Sequence, residues 1–172
     1  MTSCENKSIL VSIRPKYVTD ILNRKKTIEI RKTKPNCDQP ITVYIYCSKR
    51  PRIKDEFNNP KYNGTVVGKF ELVNVEEIEY DTGDYFTETL PPSMVLEEGC
   101  LDYAKLDHYL KGKKGYAWHI TNLEVFDEPK YISEFKVRHY PQFAGMVKNE
   151  THYELLPLAR APQSWCYVEV EE

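Results

Sequence analysis

Residues 8–31 read SILVSI-RPKYVTDIL-NRKK-TIEIR, and this stretch decides the fold. Ser8–Ile13 is rich in β-branched residues and predicts a strand. Pro15 follows Arg14 and suits the first turn of a helix, where its missing N–H costs nothing. Val18, Ile21 and Leu22 then fall at i, i+3 and i+4, so a short helix turns one apolar stripe to a core and ends near 23–25. Thr27–Arg31 alternates strictly. Ile28 and Ile30 are expected to point into a core, with Thr27, Glu29 and Arg31 on the other face, outside it.

Downstream, Lys32–Pro40 is a polar loop, and Ile41–Cys47 predicts a strand buried on both faces. Residues 48–63 form a basic loop, and Thr65–Val75 another strand, with Gly68 permitting a bulge or a close approach. Residues 76–100 are acidic and read as irregular, broken by Thr82-Gly83-Asp84 and Pro91-Pro92. Asp102–Lys111 predicts a short helix, and Tyr116–Phe126 a strand. Residues 138–163 are irregular, with prolines at 141, 157 and 162, and Trp165–Val170 closes the chain as a strand. Five or six strands with two or three short flanking helices predict an α+β fold, a small mixed β-barrel. At 172 residues, one domain over 1–172 is expected.

Hydrophobic residues at 41% and charged residues at 29% describe an ordinary globular chain and exclude disorder as its main state. No apolar run approaches the roughly 20 residues a membrane helix needs, and the N-terminus lacks a secretory layout, so a cytoplasmic protein without a membrane partner is expected. Five cysteines without C-x-x-C spacing predict reduced thiols. The four histidines show no ligand spacing, so no metal site and no cofactor is implied. The net charge of −2 hides an asymmetry: residues 1–69 carry +9 and residues 70–110 carry −10. The basic third is either a surface for phosphates or the partner of the acidic middle within the domain.

The run from SILVSI through Lys25-Lys26-Thr27-Ile28-Glu29-Ile30-Arg31 resembles the ASCH domain of the PUA-like superfamily. Its hallmark is G-x-K-x-x-E-x-R after the first helix. Lys26, Glu29 and Arg31 fit that pattern, and Asn23-Arg24 stands in place of the usual Gly. VYIYCS, TVVGKFEL, YAWHITNL and APQSWCYV are similar to core strands of the superfamily, as in versions carried by prophages and gut bacteria. Against that pattern, residues 76–112 read as an acidic insert. The resemblance implies a β-barrel with a cleft between the first helix and the barrel, lined by the motif residues and associated with RNA or modified-base recognition. Some ASCH proteins deacylate N4-acetylcytidine with a Lys in this motif, a Thr three residues later and a Glu from a later strand. Here Lys26 holds the Lys position, but Glu29 stands where that Thr would be.

Lys26, Glu29 and Arg31 set two cations around one carboxylate. Such a carboxylate stays ionised and accepts from an exocyclic amine, while Lys and Arg donate to carbonyl or phosphate oxygens. The same pattern also describes a solvated charged edge. Ser48 offers a hydroxyl at the cleft mouth or is a turn residue. Arg50 and Arg52 reach phosphates or only solvent. His119 is an acid–base group or a structural histidine. Trp165 stacks on a base or fills the core, and Gln163 and Ser164 stand where they can read a base edge. The expected function is binding of RNA or a nucleoside in the cleft. The alternatives are an amidohydrolase in which Lys26 and Glu29 act as the acid–base pair, and a phage-encoded module whose acidic segment engages a protein partner.

Overall fold

The computed structural model describes residues 7–49, 61–140 and 153–170. Its elements run β1 (Ser8–Ile13), α1 (Pro15–Leu22), β2 (Ile28–Arg31), β3 (Ile41–Cys47), β4 (Val66–Asp81), β5 (Asp84–Phe86), α2 (Pro92–Gly99), α3 (Tyr103–Leu110), β6 (Gly115–Lys130), a 3-10 turn at Ile132–Glu134, β7 (Lys136–His139), β8 (Glu154–Pro157) and β9 (Trp165–Val168). The fold is α+β. A mixed sheet runs in the order β2-β6-β4-β3-β1-β9, with β5 on the distal end of β4, and β7 and β8 form a separate pair. β1 and β3 are parallel, and the other neighbouring pairs are antiparallel.

The alternation in the first strands sorts side chains into two interiors. Ile9, Val11 and Ile13 of β1 meet Val18 and Ile21 of α1, Val43 and Ile45 of β3, and Trp118 of β6 in one cluster. Ile28 and Ile30 point away from it, into a second cluster with Ile78, Tyr85, Val95, Leu106, Leu110 and Ala117. Residues 76–100, expected to be irregular, are therefore ordered. β4 continues to Asp81, paired with β6 as far as Ile78 and with β5 beyond it, and the two helices with β5 roof Ile28 and Ile30. The acids that made this stretch look loop-like sit on its outside: Glu77, Glu79 and Asp81 are exposed while Ile78 between them is fully buried.

Two turns carry sharp backbone demands. Arg24, in the position of the expected Gly, has φ +58° and so adopts the left-handed conformation that Gly takes without strain. Gly68 sits at a register shift between β4 and β6, and a Cβ there would lie 2.4 Å from the Glu124 carbonyl oxygen. Among the described residues no helix is long and apolar enough to cross a membrane.

The sheet curls until its end strands approach. No backbone ladder joins β2 to β9 among the described residues. Side chains cross the gap instead: Arg31 Nη1 donates to Ser164 Oγ at 3.4 Å, Trp165 Nε1 donates to Thr33 Oγ1 at 3.0 Å, and the Asn36 backbone N–H donates to the Tyr167 hydroxyl at 2.9 Å. This seam is where the motif residues lie.

Candidate functional site

β2 is buried on both faces, which the alternation alone does not show. Glu29 was expected outside the core and is 7% exposed; Lys26 and Arg31 are 3% and 8% exposed. Lys26 Nζ lies 3.4 Å from Glu29 Oε2, and Arg31 Nη2 lies 2.9 Å from Glu29 Oε1. Lys26 also donates to the Gly99 carbonyl at 2.7 Å, and Arg31 Nη2 to the Ser12 carbonyl at 2.7 Å. The cations thereby tie β2 to the end of α2 and to β1. Burial lowers the Lys26 pKa from its ordinary value, and Glu29 opposes that shift.

The register fixes who shares this face. Glu29 is directly opposite Trp118 on β6, and Arg31 opposite Tyr116. Three buried polar atoms of this group make no hydrogen bond: Glu29 Oε2, Arg31 Nε and Trp118 Nε1. Buried polar groups are ordinarily satisfied, so an acceptor and two donors left over on one face call for an explanation.

Two tyrosines that the motif did not flag border the triad. The Tyr17 ring of α1 lies 5.2 Å from Lys26 Nζ and 5.1 Å from Lys16 Nζ. Tyr109 of α3 stands close enough to Arg31 and Glu29 to feel both charges, and burial raises the pKa of both phenols. Tyr17 carried a signal, since it sits one residue before the apolar stripe of α1. Tyr109 carried none, because its approach depends on the packing of α3.

The other candidates divide. Ser164 joins the triad through Arg31, and Trp165 packs edge-on against Trp118 with ring centroids 5.6 Å apart. Gln163 is exposed beside them. Ser48 sits beyond the end of β3, where its N–H donates to the Ile13 carbonyl at 2.9 Å. His119 is opposite Ile28 and so belongs to the other face of the sheet. Its Nε2 lies 2.9 Å from Glu76 Oε1, within ion-pair reach but outside hydrogen-bonding geometry. Glu76 in turn accepts from the Thr87 and Thr89 hydroxyls. His119 thus lies beside Glu76, which holds the 87–89 loop, away from the triad. Arg50 and Arg52 lie outside the described residues.

A shallow cavity of about 440 Å3 opens beside the triad, lined by Lys25, Thr27, Met94, Glu97 and Glu98. In it, Thr27 Oγ1 donates to Glu98 Oε2 at 3.0 Å.

The family profile that matches the chain is that of the ASCH domain, over residues 11–130. The chain belongs to the ASCH domain family. The match runs through the KKTIEIR motif and across the helical roof. Solved structures agree on the PUA-like fold. ASCH from Zymomonas mobilis superposes with a TM-score of 0.53 at 18% identity, over 93% of this chain and 86% of that one. A tyrosine-to-phenylalanine mutant of ZmASCH from the same organism gives 0.52 at 17%, over 73% and 76%. A serine-to-alanine mutant gives 0.52 at 18%, over 73% and 75%. No curated protein matches the sequence.

Proposed function

We infer that this ASCH domain binds RNA or a modified nucleobase or nucleoside at the seam between α1 and the curled sheet, with Glu29 and Arg31 reading the base. The observation that carries this is that Arg31 Nε and Trp118 Nε1 lack a hydrogen bond beside Glu29 Oε2, which has only its ion pair with Lys26. One acceptor and two donors complement an edge with one donor and two acceptors. Cytosine has that edge, with its exocyclic amine donating and N3 and O2 accepting. Uracil has one donor and two acceptors as well, with the donor at its centre, so the number of groups fits either pyrimidine. Lys26 and Arg31 flank the Glu29 carboxylate, whose oxygens are acceptors.

The test is native mass spectrometry of protein purified from cells, followed by titration with cytidine, N4-acetylcytidine and uridine. At least one of the three is expected to bind, and Arg31→Lys, which removes the Nε donor while keeping the charge, should weaken it at least tenfold. A protein that retains no nucleotide material and binds none of the three would overturn the reading.

An amidohydrolase acting on N4-acylated cytidine is the second reading, favoured by the Thr27–Glu98 hydrogen bond in the neighbouring cavity. A hydroxyl held by a carboxylate beside lysines is a plausible nucleophile. Position 29, however, holds a carboxylate, and Thr27 is two residues, roughly 6–7 Å, along the chain from it. A nucleophile has to reach about 3–3.5 Å from the reacting atom. Purified protein is therefore expected to release no cytidine from N4-acetylcytidine. Robust turnover lost in both Thr27→Ala and Glu98→Gln would replace the binder reading with the enzyme.

A further inference from the structure

An arginine can close on a carboxylate with two parallel hydrogen bonds, one from each nitrogen along an edge of its fork. Arg31 and Glu29 make only part of that contact. Nη2 lies 2.9 Å from Glu29 Oε1, while Nε makes no hydrogen bond. The guanidinium is planar and rigid, so Nε is carried beside Nη2, next to the same carboxylate. Glu29 Oε2 has its ion pair with Lys26 at 3.4 Å and no hydrogen bond. Directly opposite Glu29 on β6 stands Trp118, fully buried, and its indole Nε1–H is unbonded too. The neighbouring polar atoms are already engaged. Arg31 Nη1 donates to Ser164 Oγ, Nη2 to the Ser12 carbonyl, and Lys26 Nζ to the Gly99 carbonyl.

One face of β2 and β6 thus gathers two donors and one acceptor, all on buried side chains. The three groups select their occupant by chemistry. An anion would accept from Arg31 and Trp118 but meets the Glu29 carboxylate. A cation would suit Glu29 but leaves both donors unbonded and meets Lys26 and Arg31. Water does both jobs. Its oxygen accepts two hydrogen bonds and its hydrogens donate. Buried waters typically make about three hydrogen bonds to polar groups that the protein itself leaves unbonded, and occur about once per 27 residues.

We propose that Arg31 Nε, Trp118 Nε1 and Glu29 Oε2 together bind one buried water molecule in the ligand-free protein. The inference goes beyond the nucleobase reading and does not depend on it. Both lone pairs of this water are taken by the two N–H groups. It is therefore a structural water that links β2 to β6, and not a nucleophile. It also sets a condition on any ligand that takes its place. Displacing a well-ordered water without reproducing its hydrogen bonds loses affinity, so the ligand has to supply two acceptors and one donor.

The experiment uses the full chain without nucleoside. Crystals are grown with bromide in the mother liquor and measured at a resolution that shows ordered solvent. The expected result is a solvent peak about 2.7–3.2 Å from all three atoms, with no anomalous bromide signal there. In solution, oxygen-17 relaxation dispersion counts waters held longer than the protein takes to tumble. The Arg31→Lys/Trp118→Phe variant removes both donors and should hold one such water fewer than wild type. No solvent peak at that position, a bromide peak in its place, or a direct hydrogen bond from Arg31 Nε to Glu29 Oε2 overturns the inference. So does an unchanged count in the folded double variant. If that variant does not fold, the crystal alone decides. Since no nucleoside is present, failure here leaves the cytidine and uridine titrations to decide the nucleobase reading separately.

Discussion

Replacing Glu29 with Gln removes the carboxylate that pairs with two buried cations and keeps the shape of the side chain. The two pairs span 3.4 Å and 2.9 Å. At an effective dielectric near 20 each is worth about 5 kcal/mol before the cost of burying the carboxylate is set against it. Breaking a buried pair by removing one partner typically costs about 3–5 kcal/mol, because the other charge stays buried. For a chain of this length that corresponds to a fall in Tm of roughly 6–20 °C. A side chain outside the core would cost nothing comparable. The deficit also depends on pH in a determined direction. Burial already lowers the Lys26 pKa, and loss of Glu29 lowers it further. The unfolded chain therefore binds more protons than the folded one in the alkaline range below the ordinary lysine value of about 10.4, and stability rises with pH there. The Glu29→Gln deficit should shrink as pH climbs through that range. Adding Lys26→Met removes one stranded cation, so the double variant should be more stable than Glu29→Gln alone, with a coupling of about 1–3 kcal/mol. Thermal and urea unfolding from pH 7 to pH 10 measure all three effects. A Tm change below about 2 °C at pH 7, or costs that simply add, would refute a tightly coupled buried triad.

Four further outcomes are expected. Gly68→Ala forces a Cβ against the Glu124 carbonyl oxygen and should lower stability by about 1–3 kcal/mol in urea titrations. Arg24→Gly relieves a left-handed non-glycine residue and should raise the Tm slightly, by a gain of roughly 0.5–1 kcal/mol. Burial alone would raise the Glu76 pKa, but hydrogen bonds from Thr87 and Thr89, with His119 beside it, hold it below the ordinary carboxylate value. Its contribution is present above about pH 4.3 and is lost as pH falls through the lowered value, so the stability gap between wild type and Glu76→Gln should close in acid. Burial pushes the Cys47 and Cys166 thiols up to about 11, so iodoacetamide at pH 8 should leave both unmodified until the protein is unfolded, as read by peptide mass spectrometry.

Much of this molecule is legible in residues 8–31. The β-branched run, Pro15 and the i, i+3, i+4 stripe locate β1 and α1, because strand and helix periodicities are local properties. The family motif picked out Lys26, Glu29 and Arg31, which the fold brings together as an ion triad, and Gly68 marked a close approach that the packing shows. Other features resisted such reading. Composition made 76–100 look like loop, because acids on the outer face of β4 outnumber the one buried isoleucine, Ile78, that sets its orientation. Alternation placed Glu29 opposite Ile28 and Ile30, as it is, but alternation names only the two faces of a strand and not what covers each. That was decided when the sheet curled. β6 brought Trp118 under Glu29, α2 and α3 closed over Ile28 and Ile30, and Arg31 reached Ser12 and Ser164 across the seam. Burial, and with it the coupling of the three charges, is a sum over segments as far apart as residues 12, 99 and 164. Local sequence determined which residues form the motif; only long-range packing decided that the motif is an enclosed ion triad at an open seam.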